Sequence, residues 1–176
     1  MRLWVKEASR IGEGFAGSPE PGANGVSMKA VVQRVAEARV KVREETVAEI
    51  GRGLAVLLGI ERDDTEKDID YLVDKIVHLR IFDDQEGKLN LSVKGTGGEV
   101  LVVSQFTLLG DCRRGRRPGY SHAAPAEIAR ETYSKFLTRL KEAGVGVSKG
   151  IFQEKMLVEI FNDGPVTLLL DSRKTF

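Results

Sequence analysis

The chain has 176 residues, 41% hydrophobic and 30% charged, so it can bury a core and fits one domain with or without a tail. Its formal net charge of +1 excludes a uniformly basic nucleic-acid-binding protein, so any contact with a polyanion has to come from a local patch. The single cysteine, Cys112, excludes an intrachain disulfide, and no apolar run reaches the roughly 18 residues of a membrane-spanning helix.

The first 27 residues differ in composition from the rest of the chain. Residues 12–27 are rich in Gly, Pro and Ser and have no apolar periodicity, which is typical of a linker or flexible tail. The opening MRLWVKEASR lacks the apolar centre of a secretory signal. We therefore expect a flexible extension over 1–27, a domain over 28–176, and a cytoplasmic protein.

The first half of the domain is predicted to be mainly β-structure. Alternating apolar residues favour strands in MKAVVQRV, ARVKVREE and TVAEIG. A turn is predicted at Glu44-Glu45, between the second and the third of them. The continuous apolar run GLAVLLGI is typical of a buried central strand. A helix is predicted next, capped by Asp64 and running to Arg80, because apolar residues recur at helical spacing.

The second half adds a hairpin around Gly87 and a second buried strand, EVLVVSQFTLL, followed by a loop. Pro125 and Gly144 bracket a second helix over about 125–143. Two final strands, KMLVEIF and VTLLLDS, flank a turn at NDGP. Strands outnumber helices and most connections are short, so we predict an α/β fold, a layered mixed domain with antiparallel-rich β-sheets and two main helices.

Nucleophiles and metal ligands are sparse. His78 and His122 are the only histidines and are far apart in the sequence, which argues against a metal site. Cys112 precedes two arginines, which would lower a thiol pKa, but only His122 is nearby as a base. Thr107 has no adjacent base either. A Thr- or Cys-nucleophile amidohydrolase therefore stays an alternative without a catalytic constellation, and no cofactor is predicted.

Three short segments are candidates for a site. In RRGRR, Arg113, Arg114, Arg116 and Arg117 could form a phosphate-docking loop or an ordinary solvated face. Polar residues in SQFTL interrupt a buried strand at its end, where a turn could aim backbone N–H groups at an oxyanion. Gly164-Pro165 could be a simple connection or a backbone device aimed at a ligand.

Taken together, these segments resemble the D-aminoacyl-tRNA deacylase family from Met28 to Ser172. Single short motifs would be weak, but their order and separation are specific. The matching stretches are KAVVQRV, LRIFDDQEGKLNLS, GGEVLVVSQFTLLGD, RRGRRP and NDGPVTLLLDS.

The resemblance implies a homodimer that hydrolyses the ester between a D-amino acid and tRNA, with free tRNA as product. Gly164-Pro165 would be cis and would reach into the partner's site, where its carbonyls reject L-residues; Arg34 would hold it. The ester would be surrounded by Ser104, Gln105, Phe106 and Thr107. The 2′-hydroxyl of the terminal adenosine, rather than a side chain, would activate water. Glycyl-tRNA mischarged on a non-cognate tRNA would be a second substrate.

One departure from the family pattern concerns the pocket edge. The family commonly has FGADM where this chain has FQEKM, residues 152–156, so Met156 is kept and a glycine is replaced by Gln153. Two alternatives to the deacylase are a related tRNA-editing domain with a different amino-acid choice and a non-catalytic RNA-binding module.

Overall fold

The computed structural model describes residues 27–113 and 115–175. Most of the predicted extension, residues 1–26, lies outside this range, as does Arg114. Ser27, the last residue assigned to the extension, is described and is fully buried.

Eight strands and three α-helices make up the described chain. The strands are β1 Lys29–Val42, β2 Glu45–Ile50, β3 Gly53–Gly59, β4 Phe82–Asp83, β5 Leu89–Leu91, β6 Glu99–Ser104, β7 Gly146–Lys149 and β8 Leu157–Asp171. The helices are α1 Glu66–His78, α2 Val93–Thr96 and α3 Ala126–Glu142, with a 3₁₀ helix over Phe106–Leu109. This confirms the predicted α/β class with two main helices, and α2 adds a single extra turn.

The main sheet has six strands. Its order is β2-β1-β3-β6-β7, and β8 lies along the opposite edge of β1. The pairs that β1 makes with β2, β3 and β8 are antiparallel, whereas β3-β6 and β6-β7 are parallel. The sheet is therefore antiparallel-rich, as predicted. Because β3 and β6 are parallel, their carboxyl ends lie at the same edge of the sheet.

Both faces of the central strands are covered, which explains the continuous apolar runs. In β3, Leu54 and Val56 point into the core that α1 and α3 cover, while Ala55 points into a smaller cluster on the other face. In β6, Val102 and Val103 divide in the same way. Because successive side chains alternate between faces, only a strand buried on both sides reads as uninterrupted apolar sequence.

Some predicted boundaries were wrong. Helix α1 begins after Thr65, not Asp64, because Thr65 and Asp68 form the reciprocal capping box. Asp64 instead accepts a hydrogen bond from the Glu61 backbone N–H (2.7 Å). The first hairpin turns at Arg43-Glu44, one residue early, and both residues have positive φ. Strand β7 was not predicted at all, since its four residues carry little periodicity.

The final two predicted strands are one. Strand β8 runs from Leu157 to Asp171 along β1, so the chain does not reverse at NDGP.

None of the helices in the described part of the chain is long and apolar enough to cross a membrane.

Candidate functional site

The SQFTL segment lies where β6 leaves the sheet. Ser104 ends the strand opposite Leu58 of β3, and the Gln105 backbone N–H donates to the Leu58 carbonyl (2.7 Å). The 3₁₀ helix then packs on Gly59, where an added Cβ would lie 3.1 Å from Leu108 Cβ and 3.3 Å from the Gln105 carbonyl oxygen. Glycine at 59 therefore lets the turn sit against the strand, and the interruption of the apolar run is a real structural change.

The start of the 3₁₀ helix leaves two backbone donors available. The first N–H groups of a helix have no acceptor within it, and these belong to Phe106 and Thr107. Within residues 27–113 and 115–175, neither donates to a backbone carbonyl, whereas Leu108 N–H donates to the Gln105 carbonyl (3.3 Å). Two adjacent donors at a strand end are the groups that can stabilise a developing oxyanion.

The Thr107 hydroxyl is held by its neighbour. Gln105 Nε2 donates to Thr107 Oγ1, and no histidine or carboxylate in the described range hydrogen-bonds to that hydroxyl. Cys112 is exposed, and His78 pairs with Asp74 on α1. The described residues contain no group of three or more His, Cys, Asp or Glu arranged to hold a metal ion. No side chain here has the partners of an activated nucleophile.

The second element is a large bulge in β8. Thr167 pairs with Gln33 and Asn162 pairs with Val35, so the four residues 163–166 stand opposite Arg34 alone. Asn162 Nδ2 closes the base of the bulge by donating to the Arg34 and Val166 carbonyls, both at 2.9 Å. The Gly164-Pro165 bond within it is cis, as expected. The bulge re-aims the backbone while the strand continues.

The Arg34 side chain hydrogen-bonds to the bulge and to the segment at β4. The Arg34 side chain is 7% exposed. Its Nε donates to the Asp163 carbonyl (3.2 Å), and one of its terminal nitrogens donates to the Ile81 carbonyl (2.8 Å) and to Asp83 (3.3 Å). A Cβ on Gly164, which has φ +118°, would lie 2.9 Å from the other terminal nitrogen. Glycine at 164 thus allows both the backbone conformation and the contact with Arg34.

Met156 lies beside the end of β7, against the cluster that contains Val103 of β6. Its sulfur is so close to Gly150 that an added Cβ there would lie 2.7 Å from it, and its side chain packs on the small core cluster that contains Val103. Gln153 has φ +66°, so the residue that replaces the expected glycine adopts the left-handed conformation. Gln153 Oε1 accepts from Arg130 of α3 (2.7 Å), which ties the turn to that helix.

The arginine loop, residues 111–119, is closed at its base by two hydrogen bonds between the Asp111 and Gly119 backbones (2.7 and 2.9 Å). Arg116 and Arg117 are exposed. Arg113 is also exposed but forms a two-pronged pair with Asp111 at 2.9 and 2.7 Å, which holds the pKa of that carboxyl well below its usual range. The three arginines that the structure describes in this loop are therefore not equally free to meet a ligand.

The two motifs are not hydrogen-bonded to each other within one chain. In the described ranges, no hydrogen bond or ion pair joins Gly164 or Pro165 to residues 104–107. Two contributors were missed from sequence. Asn162 belongs to the predicted turn at NDGP, and Tyr120 is not among the predicted site residues. Tyr120 packs edge-on against Phe106, with ring centroids 5.1 Å apart.

Comparison with known proteins gives a consistent result. A family model described as D-Tyr-tRNA(Tyr) deacylase matches residues 31–171. A relative from Desulforudis audaxviator (strain MP104C) named D-aminoacyl-tRNA deacylase is 62% identical over 149 residues, which are 85% of this chain and all of the relative. A relative with the same name from Clostridioides difficile (strain 630) is 56% identical with the same coverage.

Two solved structures are also similar. One titled "c-Myc DNA Unwinding Element Binding Protein" is 44% identical with a TM-score of 0.77, covering 81% of this chain and 97% of the other. One titled as a probable eukaryotic D-amino acid tRNA deacylase is 18% identical with a TM-score of 0.70, covering 82% and 99%, and so shares the fold. Since the family model matches most of the chain and the relatives align over their full length, the chain belongs to the D-Tyr-tRNA(Tyr) deacylase family.

Proposed function

We propose that the protein hydrolyses the ester bond of D-aminoacyl-tRNA, releasing free tRNA and the D-amino acid. The observation that carries this proposal is the full-length match to relatives that bear that name, at 56–62% identity. The site geometry is compatible with ester hydrolysis without a protein nucleophile, since its available donors are backbone N–H groups. Mischarged glycyl-tRNA is a second substrate, because glycine has no side chain to be rejected.

The mechanism follows from what the site contains. Water attacks the ester carbonyl carbon, and the N–H groups of Phe106 and Thr107 stabilise the negative charge that develops on the carbonyl oxygen. The adjacent 2′-hydroxyl of the terminal adenosine orients and activates that water. The bond from the carbonyl carbon to the 3′-oxygen then breaks, and the 3′-oxygen takes up the proton that the attacking water gives up. Ser104 and Gln105 line the pocket, and Gln105 holds Thr107.

Selection of the D-enantiomer is assigned to the bulge. The Gly164-Pro165 backbone forms a wall beside the α-carbon, and an L-side chain would collide with main chain. Arg34 is nearly buried and fixes Asp163, so the wall moves little. A rigid wall is suited to rejection, because rejection depends on a clash that cannot relax. Met156 forms the pocket edge on the opposite side.

A homodimer would bring the two motifs together. Strand β8 pairs with β1 on one side only within the described range, and a long edge strand of this kind is a template for pairing. It exposes Leu157, Phe161 and Leu169, three large apolar side chains on 15 residues. Across a two-fold axis, the bulge of one protomer would enter the partner's pocket, so two motifs that share no hydrogen bond within one chain would form one site.

A non-catalytic nucleic-acid-binding role is the second candidate, favoured by the name given to the 44% identical structure. Turnover separates the two. We expect D-Tyr-tRNA to be hydrolysed and the matched L-Tyr-tRNA to be left intact. Binding of both without turnover would establish the second candidate. Hydrolysis of a differently mischarged tRNA instead would indicate the related editing domain.

The oxyanion role can be tested by removing one backbone donor. Phe106→Pro deletes the N–H, and proline is tolerated at the first position of a helix. Phe106→Ala is the matched control, since it removes the same ring but keeps the N–H. We expect the proline variant to be about 10²–10³-fold slower than the alanine variant in single-turnover deacylation. Equal rates would remove this N–H from the mechanism.

The identity of the water activator is tested on the substrate. We expect a tRNA ending in 2′-deoxyadenosine, with the ester on its 3′-oxygen, to be nearly inert. Thr107→Ala and Cys112→Ala should each cost far less than the ~10⁶-fold loss that follows removal of a true nucleophile. Fast hydrolysis of the deoxy substrate would overturn substrate assistance.

A further inference from the structure

We propose that Phe106 and Tyr120 form a stacking platform for the unpaired nucleotides that precede the terminal adenosine at the 3′ end of tRNA. This proposal rests on the proposed function and assigns a nucleotide-binding role to Tyr120. Two aromatic rings carry the proposal, because both are exposed although they pack against each other. Phe106 is 56% exposed and Tyr120 39% exposed, and their centroids lie 5.1 Å apart at an interplanar angle of 68°.

The position of the pair relative to the chemistry is fixed by the fold. Phe106 opens the 3₁₀ helix that supplies the oxyanion donors. Tyr120 follows directly after Gly119, which pairs with Asp111 at the base of the arginine loop. The Tyr120 ring also lies against Gly110, where an added Cβ would be 3.1 Å from a ring carbon. The platform therefore joins the turn that carries the oxyanion donors to the base of the arginine loop.

The charge around the pair favours a polyanion. From Asp111 to His122 the sequence holds four arginines and one acidic residue, a local charge of +3 in a chain whose total is +1. Arg116 and Arg117 are exposed at the end of the loop. Exposed aromatic rings beside arginines are the combination that binds single-stranded nucleic acid, because bases stack on the rings and phosphates meet the guanidinium groups.

The occupant follows from the substrate's chemistry. An aminoacyl-tRNA ends in unpaired nucleotides, and the ester is attached to the last of them. If the ester lies at the Phe106 N–H, the nucleotides that precede it extend out of the pocket across the exposed rings. Their bases then contact the rings, and their phosphates contact the arginine loop. Paired bases hide their faces in the helix, so an aromatic platform binds the unstacked end rather than the duplex.

The first test uses kinetics with two substrates. We expect Tyr120→Leu, which keeps apolar bulk but loses the ring, to lower kcat/KM for D-Tyr-tRNA by at least about fivefold more than for D-tyrosyl-adenosine. Tyr120→Phe should restore the wild-type ratio, because stacking needs the ring and not the hydroxyl. An equal loss with both substrates would show that Tyr120 only supports Phe106 and would overturn the proposal.

The second test reads stacking directly. Trp4 is the only tryptophan, so Tyr120→Trp in a Trp4→Phe background reports from position 120 alone. We expect the single-stranded ribonucleotide ACCA to quench this fluorescence and a blunt RNA duplex of equal phosphate number to leave it nearly unchanged. Equal quenching by both, or by neither, would overturn the platform. Failure of the deacylase assignment appears separately, as wild-type protein that does not hydrolyse D-Tyr-tRNA.

Discussion

Arg34 shows at the level of one residue how the β8 bulge, the proposed selecting wall, is held. Its guanidinium reaches two backbone carbonyls and two carboxylates, belonging to Ile81, Asp83 and Asp163. Arg34→Met would keep the volume and leave the Ile81 carbonyl without this donor. We expect a loss of about 2 kcal/mol in the free energy of unfolding, measured with urea.

The matched control for Arg34 is Arg39→Met. Arg39 on β1 forms ion pairs with Glu37 of the same strand and Glu49 of β2, and all three side chains are at least one-third exposed. Exposed pairs contribute little, so this variant should lose under ~1 kcal/mol. Discrimination against L-Tyr-tRNA should fall in the Arg34 variant only. Similar behaviour of the two variants would mean that Arg34 does not hold the wall.

Gln153 is a second position where one residue decides local geometry. Its left-handed conformation costs an L-residue about 1–2 kcal/mol, and glycine loses about 0.5–1 kcal/mol of chain entropy instead. We expect Gln153→Gly to stabilise the fold by about 0.5 kcal/mol in chemical denaturation. Gln153→Val should destabilise it by at least about 1 kcal/mol, because branched side chains fit this region worst. The reverse order would contradict the assigned conformation.

Asp64 gives a prediction for pH. Burial raises its pKa from 3.8 to about 7, and the neighbouring Asp68 and Glu61 add to the rise. Because the folded-state pKa lies above that of the unfolded chain, the folded protein keeps a proton that the unfolded chain releases. Stability from this group is therefore greatest at acid pH and falls as the pH rises from about 4 to about 7.

Asp64→Asn removes that titration and retains an oxygen for the Glu61 N–H. We expect the difference in Tm between pH 5 and pH 8 to shrink in this variant, with the gain appearing at pH 8. Asp63→Asn, an exposed neighbour, is the control and should leave the difference unchanged. A pH profile that stays the same in Asp64→Asn would contradict the raised pKa.

At the scale of an element, the arginine loop is partly self-neutralised. Asp111 takes both prongs of Arg113, so this guanidinium is less available to phosphate than those of Arg116 and Arg117. Asp111→Asn would weaken that pair and raise the net charge of the loop by one, because it removes a carboxylate. We expect tRNA to bind more tightly and the salt dependence of binding to steepen by up to about 0.9 in log K per log salt.

The control for the loop works in the opposite direction. Arg116→Ala and Arg117→Ala should each flatten the salt dependence by a similar amount, because each removes one exposed cation. Filter binding or anisotropy over a range of salt concentrations measures both effects. An unchanged slope in all three variants would make the loop an ordinary solvated surface.

At the scale of the whole molecule, the shared site of the proposed dimer can be tested by mixing two defective chains. Phe106→Pro disables the oxyanion turn, and Gly164→Ala disables the wall, since its Cβ would meet Arg34 and Val166 at 2.9 Å. If each site takes its turn from one chain and its wall from the partner, a mixed dimer contains one intact site.

After subunit exchange, we expect D-selective hydrolysis to return to about a quarter of the wild-type rate, because half of the dimers are mixed and each has one good site. Phe161→Lys in both chains, which charges the exposed β8 edge, should abolish the recovery and yield monomers in sedimentation. Recovery without dimers, or dimers without recovery, would contradict the shared site.

Much of this molecule was predictable because the signals are local. The apolar run of β3 and the helical spacing in α1 follow from side-chain periodicity, and both elements are where they were predicted to within two residues. Helix α3 begins just after Pro125 and ends before Gly144, as the terminal residues indicated. The resemblance of SQFTL and NDGP to family motifs identified the candidate residues.

The tertiary structure decided the rest. NDGP has the composition of a reversing turn, but pairing with β1 keeps Asn162 and Thr167 in one strand and forces the residues between them outward. Strand β7 forms only because β6 offers its edge. The sequence by itself determined most of the elements, the family and the residues of the two motifs, because these depend on residue type and spacing. Only the packed structure placed Arg34 under the bulge and Tyr120 against Phe106, since such contacts join residues distant in the chain or turned together by a loop.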